Sequence, residues 1–240
     1  MRLNKFLKVA SICSFLGAIT TILLIYVPSP SAAGLEAQAA LHTNNLYMAK
    51  LWILFLHPQF NVLAVMGIAA LFIKKYPEFI IPGTLAILVW GFTEMMQQAF
   101  MIDTVNQIWR PEFLTELDGV QKTTVETKLS AVSGIWDFMY FLIIFGFGLG
   151  TLLMGLVLIK SDQLARWIGL GFIFIGILSL CSFLRYYVGL SFLSKPVDWV
   201  YAWIYGVLQP LVRIALGIWL WRKAKFKVAD NPLQQSENLN

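Results

Sequence analysis

The sequence predicts an all-α fold: a polytopic transmembrane helix bundle of six helices with both termini cytoplasmic. Three observations carry that reading. Of the 240 residues, 58% are hydrophobic and 13% charged, where a soluble domain carries about 25% charge. Six apolar runs lie near residues 9–27, 47–73, 79–100, 131–159, 167–189 and 199–221. Each has about the roughly 20 residues that cross about 30 Å of hydrocarbon. Basic residues cluster at the ends of these runs and favour one side. Eleven (Arg2, Lys5, Lys8, Lys74, Lys75, Lys160, Arg166, Arg222, Lys223, Lys225 and Lys227) fall at the N-terminus, the even-to-odd turns and the tail. Five (Lys50, Arg110, Lys122, Lys128 and Lys195) fall on the other side. The positive-inside rule therefore puts both termini in the cytoplasm of a multi-pass cell-membrane protein. The same clustering turns the formal charge of +5 into a topology signal and excludes nucleic acid as a partner.

Residues 1–225 read as one bundle. The first run follows Arg2, Lys5 and Lys8 and is succeeded by PSPSAAG. A secretory signal has that layout, with small residues near Ala32–Ala33, but its apolar segment is about 7–15 residues. The longer run here reads as a retained first helix. Residues 28–46 form a polar loop with a surface helix near 35–42. The second helix carries His57-Pro58-Gln59 and Asn61, and Pro58 removes a backbone donor and kinks it. The third contains LAILVWGFTEMMQQAFM, residues 85–101, where Glu94, Gln97 and Gln98 interrupt an otherwise apolar span. Residues 101–130 read as an extracytoplasmic loop. Within it Pro111 starts an amphipathic helix, with Phe113, Leu117, Val120 and Thr124 on one face, that lies on the membrane surface or caps the bundle; a solvated loop is the alternative. The fourth helix has Trp136-Asp137 near its start and Gly146, Gly148 and Gly150, a small-residue row that admits close helix contact. The fifth ends in Arg185-Tyr186-Tyr187, and residues 190–198 form a link. The sixth holds Gln209-Pro210 and Arg213, and residues 226–240 form a polar cytoplasmic tail. Trp52, Trp136, Trp167, Trp199, Trp203, Trp219 and Trp221 fall near helix ends, as an aromatic belt requires.

The run GLVLIKSDQLARWIG at residues 155–169 resembles a recurring feature of a family of bacterial multi-spanning membrane proteins of unknown function. There a glycine-containing helix ends in a basic-Ser turn and an Arg before a second glycine-rich helix. LYMAKLW and LFIKKYPEF, at residues 46–52 and 71–79, and the first helix are similar too. The resemblance covers residues 5–190 and implies a six-helix fold and a bacterial membrane location. It implies no activity.

Helical rise assigns a depth to each polar residue. His57 lies about 10–15 Å below the outer surface, and Glu94 and Asp137 each about 9 Å. Arg185 lies about 6 Å below it, and Arg213 about 12 Å from the inner end. Glu94, His57, Asp137, Arg185, Gln97, Gln98 and Asn61 thus share one layer, the outer half of the bilayer. A carboxylate in hydrocarbon needs a partner, so Glu94 is expected within hydrogen-bonding reach of His57, Asp137, Arg185 or Arg213. His57 is expected to bond the backbone freed by Pro58, or to relay protons. Arg213 is expected to pair with Glu94 or with helix carbonyls near Pro58.

The layer suits a small ligand, cation or proton. It equally suits a structural or partner-binding membrane protein stabilised by ion pairs. An intramembrane enzyme acting on a lipid-like substrate is a further reading. Against the enzyme, no catalytic residues can be named: no nucleophile-and-base set, G-x-S-x-G, H-E-x-x-H, Walker or Rossmann pattern occurs. His42 and His57 sit at different depths, so no metal or other cofactor is expected. Cys13 and Cys181 lie in different apolar runs at opposite depths, and no disulfide is expected. Membrane lipid is the expected partner, and the glycine rows suit helix-mediated self-association.

Overall fold

The computed structural model describes residues 3–115 and 118–229, with side chains as far as Lys225. Arg2, Glu116, Leu117, the Lys227 side chain and residues 230–240, hence most of the predicted tail, lie outside the described residues. The described chain is helical throughout, with α1 at Leu3–Tyr26, α2 at Leu35–Ala40, α3 at Asn45–Phe72, α4 at Pro77–Phe100 and α5 at Arg110–Leu114. After these come α6 at Gly119–Leu158, α7 at Gln163–Phe183, α8 at Ser194–Val200 and α9 at Gly206–Ala229. Six helical stretches are long and apolar enough to cross a membrane. Their outward faces carry exposed Ile19, Leu85, Phe92, Met96 and Leu170. Such a surface suits lipid and would be an aggregation site in water.

The long helices form a ring in which each packs on its neighbours in sequence: α1 on α3, α3 on α4, α4 on α6, and α6 on α7. The ring closes through α9, which lies extensively against α1 and much less against α7. One end of the ring holds the N-terminus and the short turns after Phe72 and Leu158; we call it the basic end. The other, the loop end, holds residues 27–44, the α5–α6 junction and residues 189–193.

Small residues set the tight seams. A Cβ at Gly146 would meet Ala86 O at 2.8 Å, and one at Gly150 would meet Gly83 O at 3.0 Å, so both glycines lie against α4. Gly155 and Gly169 face each other between α6 and α7, where a Cβ on either would come within 2.8 Å of the other's carbonyl oxygen. The α1–α9 seam uses serines instead. Ser11 Oγ donates to Gly217 O and Ser14 Oγ to Arg213 O, each at 2.7 Å. Lys50 closes the far end of α1, donating to Val27 O at 2.6 Å and to Ser29 Oγ at 2.6 Å. A cation there also complements the helix dipole. Cys13 and Cys181 are free thiols.

The polar stretch 101–130 is largely not a loop, which corrects the expectation. The third span continues from Phe100 as a π-helical segment, Met101–Trp109, into α5. After a short break α6 begins at Gly119, with the Asp118 carboxylate accepting from Gln121 N at 2.8 Å. Thr123, Thr124 and Thr127 each return their hydroxyl to a carbonyl four residues back. A helix whose surroundings are polar needs no apolar stripe, so polarity concealed it. Of the expected face, Phe113 is buried, Leu117 lies outside the described residues, and Val120 and Thr124 are exposed. Val120 is 79% exposed, and Val125 is buried with Phe113 and Ala39. The predicted link 190–198 likewise becomes helical from Ser194.

Candidate functional site

At the loop end the ring encloses a chamber of about 430 Å³. The sparse α7–α9 seam is its physical cause. Both strands of that seam lose regular α geometry here: α7 continues as the π-helical segment Leu184–Val188, and α8 leads into another at Tyr201–Tyr205 before α9. A π turn is wider than an α turn and displaces the side chains that follow. Arg185, Tyr186, Tyr201 and Tyr205, all from these widened segments, line the chamber. Trp90 and Glu94 from α4 and His57 from α3 also line it, as does Tyr140 from α6, whose ring meets Tyr186 edge-on with centroids 6.4 Å apart.

The charges at the mouth are mutually satisfied. Arg185 is ion-paired to Asp198, donates to Tyr186 Oη at 3.2 Å and reaches Ser194 O at 3.4 Å. The sequence put Asp198 outside the helices, so this pair was not foreseen. Glu94, deeper in, is different. Among the described residues its carboxylate makes neither an ion pair nor a hydrogen bond with His57, Asp137, Arg185 or Arg213. The expected direct partner is absent because Arg185 is held by Asp198 and Arg213 points elsewhere. The Trp90 indole, one helical turn earlier, is a polar neighbour of Glu94, and Arg213 acts on Glu94 only through space.

His57 is fixed by its neighbours. Thr20 Oγ1 lies 3.0 Å from Leu16 O and 3.1 Å from Gly17 O, to which it donates. Its oxygen therefore accepts from His57 Nδ1 at 2.8 Å. Asn61 Nδ2 donates to the His57 carbonyl, which can only accept, at 2.8 Å. The same nitrogen donates to His57 Nε2 at 3.0 Å. With Nδ1 donating and Nε2 accepting, the ring is the neutral Nδ1–H tautomer. Neither ring nitrogen bonds the backbone freed at Pro58.

Asn61 and Arg213 line a second, smaller void of about 30 Å³ beneath the chamber, sharing Trp90, Phe147 and Gln209 with it. Asn61 Oδ1 and Arg213 Nε have no protein partner there. The void is wide enough for one water that accepts from the guanidinium and donates to Asn61 Oδ1. Gly17 makes room for this arrangement. A Cβ at that position would stand 2.5 Å from Asn61 Oδ1 and 3.5 Å from Arg213 Nη1.

Of the residues singled out in the sequence, Glu94, His57 and Arg185 share the chamber, and Asn61 and Arg213 sit below it. Asp137 lines a separate cavity of about 390 Å³ beside Arg110, and its backbone carbonyl accepts from Tyr187 Oη at 3.0 Å. Gln98 is buried against Gln97, donating to its Oε1 at 3.3 Å. Sequence reasoning missed Trp90, Tyr140, Tyr201, Tyr205 and Asp198. The four-residue spacing of Tyr201 and Tyr205 was the one available signal, since it places both on one helix face. Among the described residues no three His, Cys, Asp or Glu side chains gather to hold a metal ion.

At the basic end the polar structure is a latch. Asp162 caps α7 by accepting from Ala165 N at 3.1 Å. It also accepts from Trp219 Nε1 at 3.0 Å and pairs with Lys223 at 2.9 Å. Partial burial pushes its carboxyl up, but the Trp219, Lys223 and Ala165 donors outweigh that and hold it at about 2. No known protein family, characterised protein or solved structure matches this chain.

Proposed function

We propose that this multi-pass protein of a bacterial cell membrane, its termini cytoplasmic, uses the loop-end chamber to bind a small ligand that enters from outside, with Glu94 as the anchor. One observation carries the reading: a carboxylate faces a chamber of about 430 Å³ without an ion-pair partner. A purely structural polar layer would pair its charges, because an uncompensated charge at such depth costs several kcal/mol. The volume lies within the usual range for small-molecule sites, about 300–1,000 Å³. The orientation rests on the excess of basic residues at the basic end.

A cysteine placed at Ser182, which lines the chamber, tests access when Cys13 and Cys181 are replaced by serine. A membrane-impermeant thiol reagent should label Ser182→Cys in intact cells. Labelling only after permeabilisation would reverse the orientation. No labelling in either state, with the protein folded, would rule out an open chamber.

A further inference from the structure

We infer that the chamber's ligand is a small organic cation, an ammonium carried between aromatic walls with its charge against Glu94; this rests on the binding reading above. The charge inventory comes first. Arg185 and Asp198 neutralise each other at the mouth. His57 is held neutral by Thr20 and Asn61. Arg213 lines only the void beneath, behind Trp90 and Gln209. Among the described residues, Glu94 is therefore the one charge lining the chamber without an ion-pair partner.

Two of the wall hydroxyls are committed within the protein. Ser179 Oγ already donates to Ile144 O at 3.1 Å, and Ser182 Oγ to Tyr201 Oη at 3.3 Å. The Tyr140, Tyr201 and Tyr205 hydroxyls and the Gln209 amide are left to serve a hydroxyl on the ligand. An anion would meet Glu94, and Arg185 already carries Asp198 as its counter-ion, with only Nε left without a partner. What the walls offer in quantity is aromatic surface. Trp90 and Phe147 stand with ring centroids 5.0 Å apart, Tyr201 and Tyr205 4.7 Å apart, with Tyr140 beside them. The electron-rich faces of such rings attract a cation that has shed its water, and alkylammonium groups shed water readily. A hard metal ion is the wrong occupant, since calcium takes about 6–8 oxygen ligands and only one carboxylate is free here.

Titration calorimetry on the purified full chain with choline, tetraethylammonium, acetate and 3,3-dimethyl-1-butanol, the uncharged isostere of choline, tests this. Choline or tetraethylammonium should bind saturably, with the isostere about tenfold or more weaker. Glu94→Gln should weaken cation binding by at least about tenfold. Tyr205→Phe should retain binding and Tyr205→Leu should lose about 3–30-fold, because a ring face rather than a hydroxyl is required. Equal affinity for choline and its isostere, or binding of acetate in preference to both, would overturn the cation assignment while the chamber stands. So would an absence of ammonium binding in a protein whose Ser182→Cys variant is labelled from outside. An unlabelled Ser182→Cys variant would instead remove the binding reading itself.

Discussion

The two ends of the ring solve opposite packing problems with the same chain. At the basic end, helices are drawn together until backbone meets backbone: Gly155 and Gly169 leave no room for a Cβ. Leu7, Ile68, Leu158, Leu220 and Ala224 there are fully buried. Trp219 stacks on Phe72 with centroids 6.1 Å apart and planes 6° apart, and it is tied to Asp162. At the loop end, helices are held apart. All three π-helical segments lie there, Gly134 of α6 has nothing within 4 Å of a built Cβ, and tyrosines replace aliphatic side chains around a void. The contrast teaches that the chamber follows from the ring's geometry: it is sealed at one end by glycine and apolar packing and widened at the other by irregular helix.

The strongest way to break this comparison is to add bulk where the helices touch. Gly155→Val puts its Cβ 2.8 Å from the Gly169 carbonyl oxygen, and backbone cannot swing aside as a side-chain tip can. We expect a loss of about 3 kcal/mol, the upper range for overpacking. The melting temperature in detergent should fall by many degrees. Gly134→Ala, at the open end, should leave it unchanged or raise it, because alanine favours helix by up to about 1 kcal/mol. Equal effects at the two positions would mean that the ends do not differ in packing.

The latch supplies the next largest effect, and its sign follows from the Asp162 carboxyl. Its value of about 2 in the folded protein lies below the ordinary 3.8. The stabilisation is therefore complete above about pH 4, fades as pH falls toward 2, and is gone below. Asp162 and Lys223 are 41% and 38% exposed, so solvent screening reduces the contribution to about 1 kcal/mol. Asp162→Asn should melt lower than the parent at pH 7, and the gap should close as pH falls from 4 to 2. A gap that stays constant across that window would show that the carboxylate charge contributes nothing there.

How far the sequence reached differs between the ends for the same physical reason. Apolar length and basic flanks are local properties, so six spans and the turns after Phe72 and Leu158 were legible. So were Gly146 and Gly150 as contact residues, because small-residue spacing is itself a packing signal. At the loop end the decisive features are not local. Depth placed Glu94 and Arg213 in reach of each other, but the rotation of α9 sends Arg213 toward Gly17 and Asn61. Helical spacing joined His57 to Asn61 correctly and could not reveal Thr20, which arrives from another helix. Beyond Phe100, Met101, Ile102, Val105 and Trp109 recur at helical spacing and bury one face, a signal masked by the polar residues between them, whereas the threonine-rich start of α6 carries no such period. The cavity-lining tyrosines look in sequence like interfacial belt residues, and only the widened helices turn them inward.

The smallest expected effect is the sharpest discriminator between a binding chamber and a structural charge layer. If Glu94 were the counter-ion of Arg213, Glu94→Gln would strand a buried cation, 8% exposed, and cost about 3–5 kcal/mol. The structure places no ion pair between them. Glu94 faces the chamber, while the guanidinium faces the void shared with Asn61. Glu94→Gln should therefore leave stability unchanged or raise it, because it removes an unpaired charge and strands no buried partner. A double-mutant cycle with Arg213→Met isolates the pair from everything else each residue touches. Coupling below about 0.5 kcal/mol is expected for groups that interact only through space across a solvated chamber. Coupling above about 1 kcal/mol would show a direct or tightly water-bridged pair. Glu94 would then be occupied by Arg213 and could not serve as a ligand's anchor.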